Sequence, residues 1–316
     1  MVEREEVVRE NDLSKRVLIT GGTGLIGRAL SASLAGDGYE VIVLSRNPEQ
    51  AMNLPANVGV ERWDARTAEG WGGLVDGAHT VVNLAGEAIA AGRWTSERKR
   101  RIRESRLNAG RAVVQAIELA KQKPLVLVQA SGVGYYGPCR EEEVPESAPA
   151  GQDYLARLAV EWEASTAVVE AMGVRRAIIR TGIVLSKNGG ALPRMMLPFR
   201  LFVGGRLGSG RQWLPWIHIA DEVGVIRFLM ENEKAKGPFN LSAPNAVTNA
   251  DLSRLLGRKL RRPACIPTPA FLLRLLFGEM AGMLLTGQKA VPRHLTQMGY
   301  AFRFAEAEAA LGDILP

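Results

Sequence analysis

Short, unbroken apolar runs recur through the first 180 or so residues, separated by segments with helical spacing. "RVLIT" (16–20), "EVIVLS" (40–45), "VGVERW" (58–63), "HTVVNLAG" (79–86), "PLVLVQAS" (124–131) and "RRAIIRTG" (175–182) each read as a strand. Helices are expected over Gly24 to Ala35, over Thr95 to Lys121 and around 154–172. Strands that are apolar on both faces and alternate with helices assemble into a parallel sheet covered on both sides. The pattern therefore predicts an α/β chain built on a doubly wound parallel sheet.

The rhythm changes after residue 183. Glycine- and proline-rich loops, "KNGGALP" and "VGGRLGSGRQWLPW", precede a helix from Asp221, a short strand "PFNLS" (238–242) and a helix near 249–257. The last stretch is mostly helical, with Pro263, Pro267 and Pro269 as stops. This half is expected to form a small, mostly helical lobe over the C-terminal edge of the sheet, where ligands bind in such folds. The expected division is a flexible extension at 1–14, a dinucleotide-binding domain at 15–185 to which segments near 212–245 return, and a substrate lobe at 186–316.

The turn after the first strand carries the first chemistry. In "ITGGTGLIGRAL" (19–30), Gly22, Gly24 and Gly27 satisfy GxGxxG, and Gly21 joins Gly24 and Gly27 at three-residue spacing. A turn lacking Cβ atoms lets a pyrophosphate approach the N–H groups and positive dipole end of the following helix. The expected contacts along this stretch are Gly21, Thr23, Gly24, Leu25, Ile26 and Gly27. At the end of the second strand stand Ser45 and Arg46, with no carboxylate for a ribose 2′-hydroxyl. A hydroxyl beside a guanidinium suits a 2′-phosphate, so NADP(H) is the expected cofactor. Asp64 closes the third strand as a candidate acceptor for the adenine amino group. Leu84, Ala85, Gly86 and Glu87 of "NLAGE" close the fourth, beside the adenosine ribose.

Charge and cysteine usage narrow the alternatives. The net charge is +7, much of it in "RWTSERKRRIRESR" (93–106), which has no interleaved aromatics for base stacking. It reads as a solvated helix face with one or two arginines aimed at a phosphate, and no nucleic-acid partner is expected. Cys139 and Cys265 lack CxxC spacing, and His79, His218 and His294 are scattered, so no metal site is expected. The N-terminus carries no apolar leader, and the stretch Phe271 to Leu285 is interrupted by Arg274 and Glu279. It falls short of the roughly 20 residues that cross a bilayer. A cytoplasmic chain without a membrane partner is the expectation.

"TGGTGLIG", "NLAG", "SGVGYYG" (131–137), "RTGIVLSKNGGAL" (180–192), "GSGRQWLPWIHIADE" (208–222) and the tail "FGEMAGMLLTGQKAVPRHLTQMGYAF" (277–302) together resemble an atypical extended short-chain dehydrogenase/reductase. The chain is similar to the NAD(P)-dependent epimerase/dehydratase-like group, sometimes labelled sugar-nucleotide epimerases of a cell-division-inhibitor type. The resemblance covers nearly everything after residue 15. It implies a Rossmann-like sheet, an NADP-type cofactor and a family-specific C-terminal lobe, but no substrate. It further implies that Ser45 and Arg46 hold the 2′-phosphate and that Leu84 and Ala85 contact the adenosine half. Arg106 would be a phosphate or ribose contact, and Val184 would offer its backbone near the nicotinamide.

Enzymes of this class use Ser, Tyr and Lys, the lysine lowering the tyrosine pKa. Ser131 and Tyr154 stand in the expected places, but the lysine position four residues after Tyr154 holds Leu158. An unassisted tyrosine titrates near pH 10 and is a poor base at neutrality. Three readings stay open: Tyr154 is a half-buried helix-capping aromatic; it works with another cation such as Arg180 or Arg211; or Tyr135 or Tyr136 of the "GYYG" loop supplies the acid. His218 in "WIHIAD" is read as pinning a strand to the next helix. The candidate catalytic residues are thus Ser131, Tyr135 and Tyr154. Arg206 and Arg211 are placed to attract an anionic group on a small-molecule substrate. Two functions compete: an oxidoreductase or epimerase-like enzyme on a small carbonyl or sugar-nucleotide-like substrate, and a catalytically degenerate NADPH-binding sensor or interaction protein. Nucleic-acid binding through 93–106 is a distant third.

Overall fold

Seven strands pair in parallel to make the central sheet of the computed structural model, which describes residues 15–315 except 52 and 140. The expected extension at 1–14 lies outside the described residues. The strands are β1 (Arg16–Thr20), β2 (Glu40–Ser45), β3 (Gly59–Arg62), β4 (Thr80–Asn83), β5 (Val126–Gly132), β6 (Arg175–Thr181) and β7 (Gly237–Leu241). Their spatial order is β7-β6-β5-β4-β1-β2-β3. The chain runs outward from β1 to β3 and then returns to β4 on the other side of β1. That reversal opens a crevice at the C-terminal ends of β1 and β4, the topological switch point at which such sheets bind ligands.

Alternation along each strand sends side chains to both faces. From β1, Val17 and Ile19 join a core with Leu30 and Leu34 of α1 (Leu25–Gly36), while Leu18 points the other way toward Val113, Ala116 and Ile117 of α2 (Ser96–Leu119). Both faces are dry over β1, β2, β4, β5 and β6, which is why these strands read as apolar runs, whereas edge strand β3 is largely exposed. One element departs from the sequence expectation. The helix expected around 154–172 stops as α3 (Tyr154–Ala164) and continues as a 3-10 turn at Ala167–Met172. Ser165 ends it: its Oγ donates to the Trp162 carbonyl at 2.7 Å and packs against Gly110 of α2, where a Cβ would meet it at 2.2 Å. The short strand "PFNLS", within the segments near 212–245 expected to return to the dinucleotide-binding domain, forms β7, the sheet's edge strand beside β6.

Helix α4 (Leu192–Arg200) precedes α5 (Ile219–Glu231), which covers the sheet beside α1; His218 caps it, its Nδ1 accepting from the Ala220 N–H at 3.1 Å. The C-terminal lobe follows with α6 (Asn249–Leu260), α7 (Ala270–Phe277), α8 (Ala281–Leu285), α9 (Arg293–Gln297) and α10 (Ala307–Ile314). Its core joins Leu192, Met196 and Phe199 of α4 to Leu252 and Leu256 of α6 and Leu311 of α10. Among the described residues no helix is long and apolar enough to cross a membrane.

Candidate functional site

Two clefts meet at the switch point. The first, of about 370 Å³, is lined by Gly21, Thr23 and Gly24 from the β1–α1 turn and by Ser45, Arg46 and Asn47 after β2. Trp63, Ala65, the run Leu84 to Glu87 after β4, and Ser105 complete it. Its floor requires glycine. A Cβ on Gly21, whose φ is +67°, would sit 2.8 Å from the Leu84 carbonyl carbon, and one on Gly27 would sit 2.5 Å from the Gly22 Cα. Gly24 caps α1 without a side chain, so the first N–H groups of that helix remain available to an anion. Ser45 Oγ accepts from the Asn47 N–H at 3.2 Å. Arg46 is exposed and has no ion pair among the described residues. A glycine cradle, an open helix N-terminus and an unpaired guanidinium fit a dinucleotide carrying an extra phosphate.

The expected contacts divide on closer inspection. Thr23, Gly24, Ser45, Arg46, Leu84, Ala85, Gly86 and Glu87 share one cleft. Leu25 lies instead against Gly190, whose added Cβ would be 2.9 Å from Leu25 Cδ2, and Ile26 packs on the sheet core. Asp64 is exposed and turned to its own loop, accepting from the Arg66 and Thr67 N–H groups at 2.7 and 2.8 Å. Burial is the largest single effect and raises its pKa, but the Thr67 and Arg66 hydrogen bonds together outweigh it and hold the carboxyl below the usual range. Val184 pairs with Ile217 next to the cleft-lining Ile183.

Arg106 stands between the two clefts. It is 6% exposed, its guanidinium touches Gly86, stacks on the Trp162 ring at 4.7 Å, and donates to the Glu87 and Ile102 carbonyls at 3.0 Å. Its Nε is buried without a partner, and burial lowers its pKa to about 10. A desolvated, incompletely bonded cation is costly until an anion approaches. The other basic residues of 93–106 mostly find carboxylates within the chain: Arg98 with Glu87 at 3.3 Å, Lys99 with Glu279, Arg100 with Glu97 and Glu104, and Arg103 with Glu161.

The second cleft, of about 560 Å³, holds Ser131 and Tyr154 together, with Arg106 at one side. Its walls are largely apolar: Ile89 and Trp94 before α2, Leu155, Leu158 and Trp162 on α3, Ile183, Trp213 and Leu214, and Met283 on α8. Leu158, at the lysine position, is one of these wall residues. Tyr154 Oη donates to the Lys99 carbonyl at 3.1 Å, its ring meets Trp94 edge-on at 5.1 Å, and the Lys99 ammonium lies 5.1 Å from the ring. Burial, only partly opposed by Arg106, pushes its hydroxyl above the ordinary tyrosine value.

Ser131 donates to Glu163 Oε1 at 2.7 Å, and Glu163 is clamped by Arg180 through bonds of 2.8 and 2.9 Å. Burial opposes the Arg180 charge, but this clamp overrides it and keeps the guanidinium well above its normal pKa. Arg180 also donates to Tyr136 Oη at 3.0 Å and stacks on the Tyr135 ring at 3.4 Å. Tyr136 in turn donates to Asn240 Oδ1 at 2.6 Å, and burial pushes its pKa to about 12. Tyr135 therefore packs on the Arg180 guanidinium and does not line the cleft, and neither do the exposed Arg206 and Arg211. Thr181 at the cleft floor donates to Glu222, a fully buried carboxyl whose pKa burial raises to about 8. Glu163, Glu222 and the α8 wall were not singled out from sequence. Glu163 and Arg180 lie 17 positions apart and Thr181 and Glu222 lie 41 apart, so no local spacing marks either pair.

A doubly wound parallel sheet with a glycine cradle at its switch point, and a Ser/Tyr cleft beside it, defines an extended short-chain dehydrogenase-like nucleotide-binding protein. The chain belongs to the NAD dependent epimerase/dehydratase family, which it matches over residues 17–242; residues 268–314 match a domain of unknown function, DUF1731. It is 38% identical over 302 residues to the epimerase family protein YfhF of Bacillus subtilis, covering 95% of this chain and 97% of that one. It is 40% identical over 304 residues to mouse epimerase family protein SDR39U1, covering 95% and 99%. The crystal structure of human SDR39U1 with NADPH superposes with a TM-score of 0.87 at 38% identity, covering 95% of this chain and 98% of that one.

Proposed function

We propose that the chain is an NADPH-dependent oxidoreductase that reduces a small, largely apolar carbonyl compound. The observation that carries this reading is the joining of two clefts through Arg106: one fits a phosphorylated dinucleotide and the other presents Ser131 and Tyr154 from apolar walls. Arg46 and Ser45 hold the 2′-phosphate, the α1 N-terminus receives the pyrophosphate, and Arg106 meets a further anionic or ribose group, as the NADPH of human SDR39U1 suggests by similarity. Bound NADPH supplies the reducing equivalent. Tyr154, its pKa raised, keeps its proton at neutral pH and acts as an acid toward the oxygen of a carbonyl, not as a base toward an alcohol. The protonated tyrosine is the form that carbonyl reduction by NADPH requires. Among the described residues Arg106 is the one cation lining the second cleft, and it already serves the cofactor side, so a sugar diphosphate finds no separate counter-charge among them.

A second reading has its own support. Leu158 replaces the lysine, Ser131 commits its proton to Glu163, and Tyr154 donates to Lys99, an arrangement equally suited to a cofactor-binding sensor without turnover. NADPH oxidation with a panel of aldehydes, ketones and nucleotide sugars separates the two. Turnover lost in Tyr154→Phe supports the reductase; tight NADPH binding, no turnover and an unaltered Tyr154→Phe variant support the sensor.

A further inference from the structure

The C-terminal lobe carries an apolar surface that the clefts do not use. Phe271, Leu275 and Leu276 project from α7, Leu201 and Phe202 from the end of α4, and Ile266 from the connecting loop, each between 46% and 70% exposed. Backbone pairing brings the segments that carry them together. The loop after α4 runs alongside 262–268, with Ile266 N–H donating to the Gly204 carbonyl at 3.1 Å and Thr268 N–H to Arg206 at 2.9 Å, and α7 begins two residues later. Phe202 is held in a left-handed backbone conformation with φ of 63°, which bulky residues rarely adopt, and its ring lies 4.5 Å from the Arg262 guanidinium. Exposed apolar patches of this kind mark interaction sites.

The rim is positive. Arg200, Arg261, Arg262 and Arg274 are exposed and have no ion pair among the described residues. Arg254, Arg258, Arg261 and Arg262 line an adjoining groove of about 600 Å³. A second copy is a poor occupant: a two-fold contact would set the same unpaired arginines against one another. The apolar side chains are protruding knobs, so a protein partner would need matching pockets, whereas lipid accommodates them without any. Immediately after α7, Glu279, Gly282 and Met283 form a wall of the apolar second cleft.

We propose that this face docks on an anionic phospholipid surface, α7 lying in the headgroup region and the arginines pairing with lipid phosphates. The expectation that no membrane partner exists rested on the lack of a spanning segment, which leaves surface attachment open. The proposal stands apart from the cofactor reading, because none of these residues lines the dinucleotide cleft. The test is co-sedimentation of the full chain with phosphatidylcholine vesicles, with and without phosphatidylglycerol. Binding is expected only to the anionic vesicles and should weaken with salt. It should be lost in Phe271→Asp/Leu275→Asp, and should fall about fivefold for each of Arg200→Gln and Arg274→Gln. NADPH affinity in each variant reports an intact fold independently. No binding to anionic vesicles, binding unchanged in the variants, or a concentration-dependent dimer that Phe271→Asp abolishes would each overturn the proposal, as would selective capture of an acidic peptide in place of vesicles.

Discussion

Replacing Glu163 by Gln tests whether the buried ion pair under Ser131 organises the cleft floor. The side chains of Arg180 and Glu163 are 5% and 11% exposed, and two short bonds join them. Glutamine retains an oxygen for the Ser131 hydroxyl but turns an N–H group toward the guanidinium, leaving Arg180 charged, buried and unpaired. Breaking one side of a buried pair costs about 3–5 kcal/mol. For a chain of this size that corresponds to a melting point lower by about 6–15 °C. Thermal unfolding followed by circular dichroism gives the shift, and urea titration gives the free energy. A double-mutant cycle with Arg180→Met isolates the coupling, because Arg180 also bonds Tyr136 and the Glu146 carbonyl. A Glu163→Gln cost under about 1 kcal/mol, or strict additivity in the cycle, would refute the reasoning, since surface-like pairs behave that way.

Three further outcomes follow. Arg46→Ala should lose about 1.5–3 kcal/mol of NADPH affinity in calorimetry and none for NADH, since a charge-assisted bond to the 2′-phosphate is removed. Glu222→Gln should match the wild type in unfolding free energy below about pH 4 and exceed it increasingly from pH 4.5 to pH 8. Its carboxyl titrates at about 8 when folded against 4.5 otherwise, so ionisation costs the folded state more as pH rises, with a ceiling of about 5 kcal/mol. Gly27→Ala should destabilise by about 2–3 kcal/mol through overpacking, and weaken NADPH binding, because the added carbon meets Gly22 and Gly21 backbone and not a movable side chain.

The sheet was legible because β1, β2, β4, β5 and β6 are buried along nearly their whole length and helices connect β1 to β2, β4 to β5 and β5 to β6; β3, a largely exposed edge strand reached without an α-helix, was legible only from its short apolar run. The cradle was legible because glycines at fixed spacing follow a strand. The cleft floor was not. Ser131 and Tyr154 were visible as types in the expected places, but the direction of the Ser131 proton depends on Glu163, nine residues after Tyr154 and five after Leu158, at a spacing that no catalytic pattern marks. Of the glycine-rich loop "VGGRLGSGRQWLPW", only 213–215 line the cleft, α8 supplies a further wall that the sequence did not mark, and Arg206 bonds its own loop at the Ser209 carbonyl. Which side chain faces a cleft is set by tertiary packing between distant segments, which no local pattern encodes.

The central claim is that Ser45 and Arg46 select a phosphorylated dinucleotide above the glycine cradle. Isothermal titration of the unmodified chain with NADPH and with NADH tests it most directly. The account predicts saturable heat with NADPH and an affinity for NADH weaker by about tenfold or more; no heat with either nucleotide, or tighter binding of NADH, would contradict it.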